Sequence, residues 1–192
     1  VLLVITAAEL AILVAMADEL TPTNWIYVSQ HLLVLGIALT RRAPAAQDRS
    51  WRSTIAVIVA YAYPYAQIVY LRWEPGQIVW PTGGLVLETL AACLSLFGLL
   101  SLGRHFGVRP ALRGLATGGA YRLVRHPMYF AYLFADIGVN LEEWNAGTIA
   151  LVLIGWASLV YRIKAEERVL SQHPDWPAFA ARTPYRLLPG IW

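Results

Sequence analysis

Six apolar runs, at about 1–17, 25–40, 53–71, 83–102, 127–144 and 146–163, alternate with short polar segments along the chain. A helix that crosses a bilayer once needs ~20 predominantly apolar residues, with a range of ~17–25. The pattern therefore predicts an all-α, polytopic integral membrane bundle of about six spans, forming one domain over residues 1–192. The second run is short, and the fifth reaches across only if Trp144 marks its far interface. Five spans, with one re-entrant or tilted pair, is the other count that fits. Pro64, inside AYAYPYAQ, predicts a kink in the third run, which bundles tolerate when neighbours satisfy the freed carbonyl. The last run continues into YRIKAEERVLSQ with no breaker before His173-Pro174. At 1.5 Å per residue, that helix is expected to extend ~15 Å beyond the membrane. The remaining HPDWPAFAARTPYRLLPGIW reads as a cap over the same interface.

The polar segments differ sharply in charge. Segment 18–24 has two acids and no base, and 141–145 has two glutamates. By contrast 41–52 carries four arginines, 103–126 five, and 162–192 Lys164 with four arginines. Fourteen of the 15 basic residues thus fall on one side. The positive-inside rule makes that side cytoplasmic, with both termini on it. The chain's brevity suits a bacterial inner membrane. A hydrophobic fraction of 58% and a charged fraction of 14% exclude an ordinary soluble domain. The pI near 9.2 follows from the loop arginines, so no nucleic-acid partner is expected, although the basic residues can attract anionic lipid. Cys93 is the single cysteine, so an intramolecular disulfide is impossible. The His and carboxylate spacing suggests no metal site. Three acids, Glu9, Glu88 and Asp136, fall within apolar runs, where carboxylates usually face a bundle interior or a cavity. Asp136 either lines a cavity below the segment described next or pairs structurally with a neighbouring helix.

Candidate chemistry concentrates in TGGAYRLVRHPMYFAY, residues 117–132. Gly118-Gly119 permits a turn or a close backbone approach. Pro127 disfavours helical geometry at His126 and suits the first turn of a following helix. Arg125 and His126 are therefore expected at a helix mouth, where free N–H groups and the dipole favour anions. Such a mouth suits a cofactor with a carboxylate and a flat ring; the plainer reading is an interfacial anchor. A second group lies on the last helix. Arg162 and Glu166 are i,i+4 on one face, with Glu167 about 100° away. The plainer reading there is an ordinary salt bridge. Both groups lie on the basic side and can share one pocket.

LGRHF at 102–106, GLATGGAYRLVRHPMY at 114–129, Asn145 and RIKAEERVL at 162–170 together resemble the isoprenylcysteine carboxyl methyltransferase and phospholipid methyltransferase superfamily. The resemblance covers about 83–192 as a catalytic half, leaving 1–82 as accessory spans. It implies an S-adenosylmethionine-dependent membrane methyltransferase at the cytoplasmic interface, releasing S-adenosylhomocysteine. The acceptor would be lipophilic or small: a prenyl thioether, a lipid, a thiol or an isoprenoid acid. No obligate protein partner is implied. Thr117, Gly118, Gly119, Tyr121, His126, Pro127, Tyr129, Glu166 and Glu167 would contact the cofactor, and Arg125, Arg162 and Glu166 would act at the acceptor. Two positions depart from the family pattern. Arg113 stands where a cofactor-contacting histidine is common, and Gly118-Gly119-Ala120 replaces a G-x-G. The ending TPYRLLPGIW also resembles the tail of membrane sterol reductases, which implies NADPH instead. A non-enzymatic lipid-binding protein is the third reading.

Overall fold

A computed structural model describes Ala11 and residues 22–192. Apart from Ala11, the first apolar run with Glu9, and the acids Asp18 and Glu19, lie outside the described residues. Helices α1 (Pro22–Thr40), α2 (Trp51–Trp73), α3 (Pro81–Leu102), α4 (Pro127–Glu142), α5 (Ala146–Leu170) and α6 (Trp176–Arg182) follow in order. Their starts are written locally. Ser50 caps α2, its Oγ accepting from Ser53 N at 3.2 Å, and Asn145 caps α5, its Oδ1 accepting from Gly147 N at 2.8 Å. Proline opens α3 and α4, where its missing N–H costs no helical bond.

The architecture is that of an all-α integral membrane protein. Among the described residues, α2, α3 with the turn that follows it, and α5 are long and apolar enough to cross a bilayer. Helix α2 runs on through Pro64. The fifth apolar run behaves differently from its pattern. Helix α4 stops at Glu142, and Glu143–Trp144 is instead extended. Glu143–Trp144 (β4) pairs antiparallel with Gln77–Ile78 (β2), with Gln77 opposite Trp144. Trp144 therefore marks a strand and not the far end of a helix.

A second two-residue ladder closes the other end. Ala46–Gln47 (β1) pairs with Ala111–Leu112 (β3), with Ala46 opposite Leu112. The arginine-rich segments 41–52 and 103–126 thus meet at one end, and the connections around 74–80 and 143–145 meet at the opposite end. The C-terminal tail joins the basic end. Arg125 N donates to Tyr185 O at 2.9 Å and His126 N to Arg186 O at 3.0 Å. Leu187 is buried against Tyr129, Leu159 and Ile163. The cap contains one element that the residue pattern does not announce, the two-turn α6.

Between the ends, α3 packs chiefly on α4, and α2 on α5. Asp136 of α4 accepts from Tyr63 OH at 3.0 Å and Gln67 Nε2 at 3.4 Å on α2, and from Trp156 Nε1 at 2.7 Å on α5. The structural reading of this carboxylate is the one the bundle uses. The α3–α4 crossing is set by glycine. A Cβ on Gly84 would lie 2.6 Å from Gly138 O and 2.3 Å from the Glu142 Cγ. Gly36 on α1 has nothing within 4 Å of the same position. Gly84→Ala should therefore destabilise the detergent-solubilised protein by about 1–3 kcal/mol, the usual overpacking range. Gly36→Ala should be neutral or slightly stabilising. Thermal unfolding of the two variants beside the parent checks the contrast.

Candidate functional site

The segment before α4 cannot remain helical because Pro127 restricts His126, which sits at φ −130°, ψ 64° as the residue capping the helix. This bend turns Arg125 and His126 inward, where they are 9% and 5% exposed. Buried guanidinium requires partners. Arg125 Nε donates to Glu167 Oε1 at 2.7 Å, and its Nη1 to the carbonyls of Thr183 and Pro184 at 3.1 and 3.0 Å. Its ring-face neighbour is Trp176, 5.9 Å from the guanidinium carbon. Arg125 and His126 do sit at the helix mouth, and their own backbone N–H groups are taken by the carbonyls of Tyr185 and Arg186.

Helix α5 supplies the acids. Glu167 holds two guanidiniums at once, Arg125 through Oε1 and Arg186 Nε through Oε2 at 2.8 Å. Glu166 points elsewhere on the helix, and its Oε1 accepts a short hydrogen bond from Tyr129 OH. His126 lies between the two carboxylates, with Nδ1 3.7 Å from Glu166 Oε2 and Nε2 3.4 Å from Glu167 Oε1. Its ring stacks on Tyr129, with centroids 5.6 Å apart and planes at 11°. The i,i+4 contact from Arg162 to Glu166 is present but long, at 3.9 Å. Arg162 is held more by aromatic faces: its guanidinium carbon lies 5.2 Å from the Tyr129 ring and 5.8 Å from the Tyr61 ring. Its Nη2 donates to Val108 O at 3.2 Å, while its Nε is buried without a hydrogen-bond partner.

The glycine turn is adjacent. Gly119 has φ +55°, a conformation L side chains rarely adopt, and a Cβ there would meet Ser101 Oγ at 2.2 Å. Ser101 Oγ accepts from Ala120 N at 3.1 Å, pinning the turn to the end of α3. Gly118 is extended and its carbonyl accepts from Tyr121 N. Burial, followed by the charge of Glu166, holds the Tyr121 hydroxyl well above the usual phenol range. Thr117 is half-buried at the start of this turn and Pro127 is buried at the start of α4.

The fold thus brings His126, Tyr129, Arg162, Glu166 and Glu167 together, with Tyr121 beside them. Arg125 joins through Glu167, as part of the lock on the tail. Three participants escape sequence reasoning: Tyr61, Val108 and Arg186. Only the tail's basic content pointed toward the last of them. Two openings lie along α5. A cleft of ≈ 370 Å³ is lined by Lys164, Glu167, Arg168, Ser171, Trp176 and Arg186. An apolar groove of ≈ 420 Å³ runs between α2 and α5, with Trp51, Ile55, Val59, Ile154, Ser158 and Tyr161 among its walls. No group of acids, histidines and cysteines among the described residues is arranged to hold a metal ion.

Comparison with known proteins finds one family model and several relatives. Residues 84–172 match the isoprenylcysteine carboxyl methyltransferase family. The chain is 28% identical over 95 residues to protein-S-isoprenylcysteine O-methyltransferase A of Arabidopsis thaliana, covering 46% of this chain and 48% of that protein. It is 28% identical over 141 residues to form B of the same plant, covering 68% and 70%. It is also 30% identical over 137 residues to the cobalt-zinc-cadmium resistance protein CzcN of Cupriavidus metallidurans, covering 70% and 60%. The chain therefore spans about half the length of the first of these relatives. No solved structure gives a significant match. The matched residues 84–172 include both the RHP turn and the Glu166-Glu167 pair, and with the two plant relatives they support a place in the isoprenylcysteine carboxyl methyltransferase superfamily.

Proposed function

We propose that the protein is an S-adenosylmethionine-dependent membrane methyltransferase acting on a lipophilic or small acceptor. The observation that carries this reading is the pairing of Glu166 and Glu167 across His126 within the matched region. S-adenosylmethionine carries an ammonium, a carboxylate and an electrophilic methyl group, and supplies the methyl when bound. The residues fit such a group. His126 Nε2 is buried without a hydrogen-bond partner, and Glu166 offers a carboxylate for an ammonium beside Glu167, whose oxygens hold Arg125 and Arg186. In this reading His126, Tyr129, Glu166 and Glu167, with the Thr117–Tyr121 turn and Pro127 shaping the wall, form the cofactor side. The cleft along Glu167 gives polar access.

Arg162 and Glu166 then act at the acceptor. Arg162 has a free-standing Nε and sits within two turns of the Ser158 and Tyr161 walls of the apolar groove. A chain lying in that groove brings its polar end toward the guanidinium, which aligns an anionic acceptor by hydrogen bonding. Transfer of methyl to such a nucleophile is mainly a matter of alignment in a water-poor site. Arg125 is reassigned in this proposal from the acceptor to positioning, because its described bonds hold Glu167 and the tail.

Three outcomes are expected. His126→Ala should weaken S-adenosylmethionine binding tenfold to a hundredfold (~1–3 kcal/mol), read by calorimetry on the solubilised protein. Tight NADPH binding with no response to S-adenosylmethionine would instead select the reductase reading. Arg162→Lys keeps the charge but loses the planar fork, so turnover should fall at least tenfold while cofactor affinity stays within about twofold. Methyl transfer to lipid, prenyl-thioether, isoprenoid-acid and thiol acceptors, measured beside cofactor affinity, checks that split. Loss of cofactor binding in Arg162→Lys would sink the division of roles. We also place the basic end in the cytoplasm of a bacterial inner membrane. In a Cys93→Ala protein, Arg49→Cys should resist impermeant thiol reagents in intact cells while Gln77→Cys reacts; the reverse pattern inverts the orientation.

A further inference from the structure

Arg113 lies in a second basic group, outside the Glu166-Glu167 array. Arg113 follows β3 directly, and its backbone is fixed there by Ala45 N donating to Leu112 O at 2.7 Å. The side chain is 8% exposed. Its guanidinium lies against the backbone at Gly107, where an added Cβ would come 2.4 Å from Nη1 and 2.9 Å from Cζ. Among the described residues no carboxylate or hydrogen-bond acceptor meets this guanidinium, and its Nε is fully buried without a partner.

The neighbours add positive charge. Burial, and after it the charge of Arg41, lowers the Arg113 pKa, which places Arg41 within electrostatic reach. Arg42 Nη1 lies 3.0 Å from His105 Nε2. Gly114, next in sequence to Arg113, faces that pair: a Cβ on it would be 3.1 Å from His105 Nε2 and 3.3 Å from Arg42 Nη1. The arrangement is locked, since Arg104 Nε donates to Thr40 O at 2.6 Å and Arg42 N to Arg104 O at 3.1 Å. The acids of this end are engaged elsewhere. Asp48 accepts from Ser50 N and faces Arg168, Glu166 serves Tyr129 and Arg162, Glu167 serves Arg125 and Arg186, and the exposed Asp175 faces His173. A desolvated guanidinium beside other cations, with no counter-charge among the described residues, is costly unless an anion joins it.

We propose that Arg113, Arg41, Arg42 and His105 form a phosphate-binding site at the basic end of the bundle. Planar N–H forks from the end of α1 and from the segment at 113, with the imidazole of His105, match a tetrahedral group with several acceptor oxygens. The phosphate comes either from a membrane lipid headgroup or from a soluble phosphate compound. The site is separate from Arg162, although the two flank one short segment: Gly107 faces Arg113, and Val108 O accepts from Arg162. It stands on charge and geometry whatever reaction the protein performs.

The test uses the purified full chain in detergent. Native mass spectrometry and thermal unfolding are followed with added phosphatidic acid, with phosphatidylcholine as a poorly matched lipid, and with inorganic phosphate. Phosphatidic acid or inorganic phosphate should bind and raise the unfolding midpoint, and whichever does so names the source. Arg113→Gln should weaken that binding at least tenfold. An Arg41→Gln/Arg42→Gln double variant alters exposed side chains only, so it tests the site even if Arg113→Gln folds poorly; it should weaken binding severalfold. Arg182→Gln, an exposed arginine of α6, should leave it unchanged. Absence of a response to either phosphate source, or equal responses in the parent and the double variant, overturns the proposal. Loss of S-adenosylmethionine affinity in Arg113→Gln without any phosphate response also overturns it, and would leave the methyltransferase reading standing.

Discussion

One carboxylate, Glu167, ties together three stretches far apart in sequence. Its oxygens take Arg125 from the turn before α4 and Arg186 from the tail, at 2.7 and 2.8 Å. Arg125 in turn holds the carbonyls of Thr183 and Pro184. The side chains of this lock are 9%, 11% and 33% exposed for Arg125, Glu167 and Arg186, so two of its three members are largely desolvated. Removing one partner from a buried pair typically costs ~3–5 kcal/mol, because the survivor is left charged and unsolvated. The lock decides which face of His126 the site can use, since the tail carbonyls already occupy the N–H groups of Arg125 and His126. It also brings Leu187 onto Tyr129 and Ile163, sealing the apolar side of the same group.

Much of the helical framework was legible in the residues because its start signals are local. Pro81, Pro127, Ser50 and Asn145 each open a helix through backbone or capping chemistry that acts over two or three positions. The end of α4 was not legible. An apolar stretch that runs on to Trp144 does not distinguish a last helical turn from an extended pair, and the choice is made by Gln77–Ile78, more than sixty residues earlier. Arg162 and Glu166 could be placed on one face from helical spacing alone. That spacing says nothing of Tyr129, which bonds Glu166 more closely than Arg162 does, or of Tyr61, which covers the guanidinium from α2. The pairing of Arg125 with Glu167 depends on how α4 meets α5, so no local pattern announces it.

The bundle manages its interior charge by two different means. Asp136 lies in α4 and is satisfied by neutral donors on two neighbouring helices, a phenol, an amide and an indole. These stabilise the carboxylate without adding an opposite charge, and they tie the helix packing to a polar contact that water cannot easily replace. At the basic end the same problem is met with ion pairs and aromatic faces. Arg162 is the clearest case, since two tyrosine rings cover its guanidinium while a backbone carbonyl takes one N–H. Ring faces attract a cation without consuming its hydrogen-bond donors.

That distinction separates the two arginines of the site. Arg125 spends its Nε and Nη1 on a carboxylate and two carbonyls, so recognising another anion through those atoms would require the lock to break. Arg162 is at least as buried, yet its contact with Glu166 is long and its Nε has no acceptor. Tyr129 competes with it for the same Glu166 oxygen and holds the stronger claim. A guanidinium kept desolvated, oriented by rings and incompletely neutralised gains more from an incoming anion than one already saturated. In the proposed reading the response to a ligand therefore belongs to the α5 side of the site, with the α4 side as the wall that Arg125 and Glu167 hold in place.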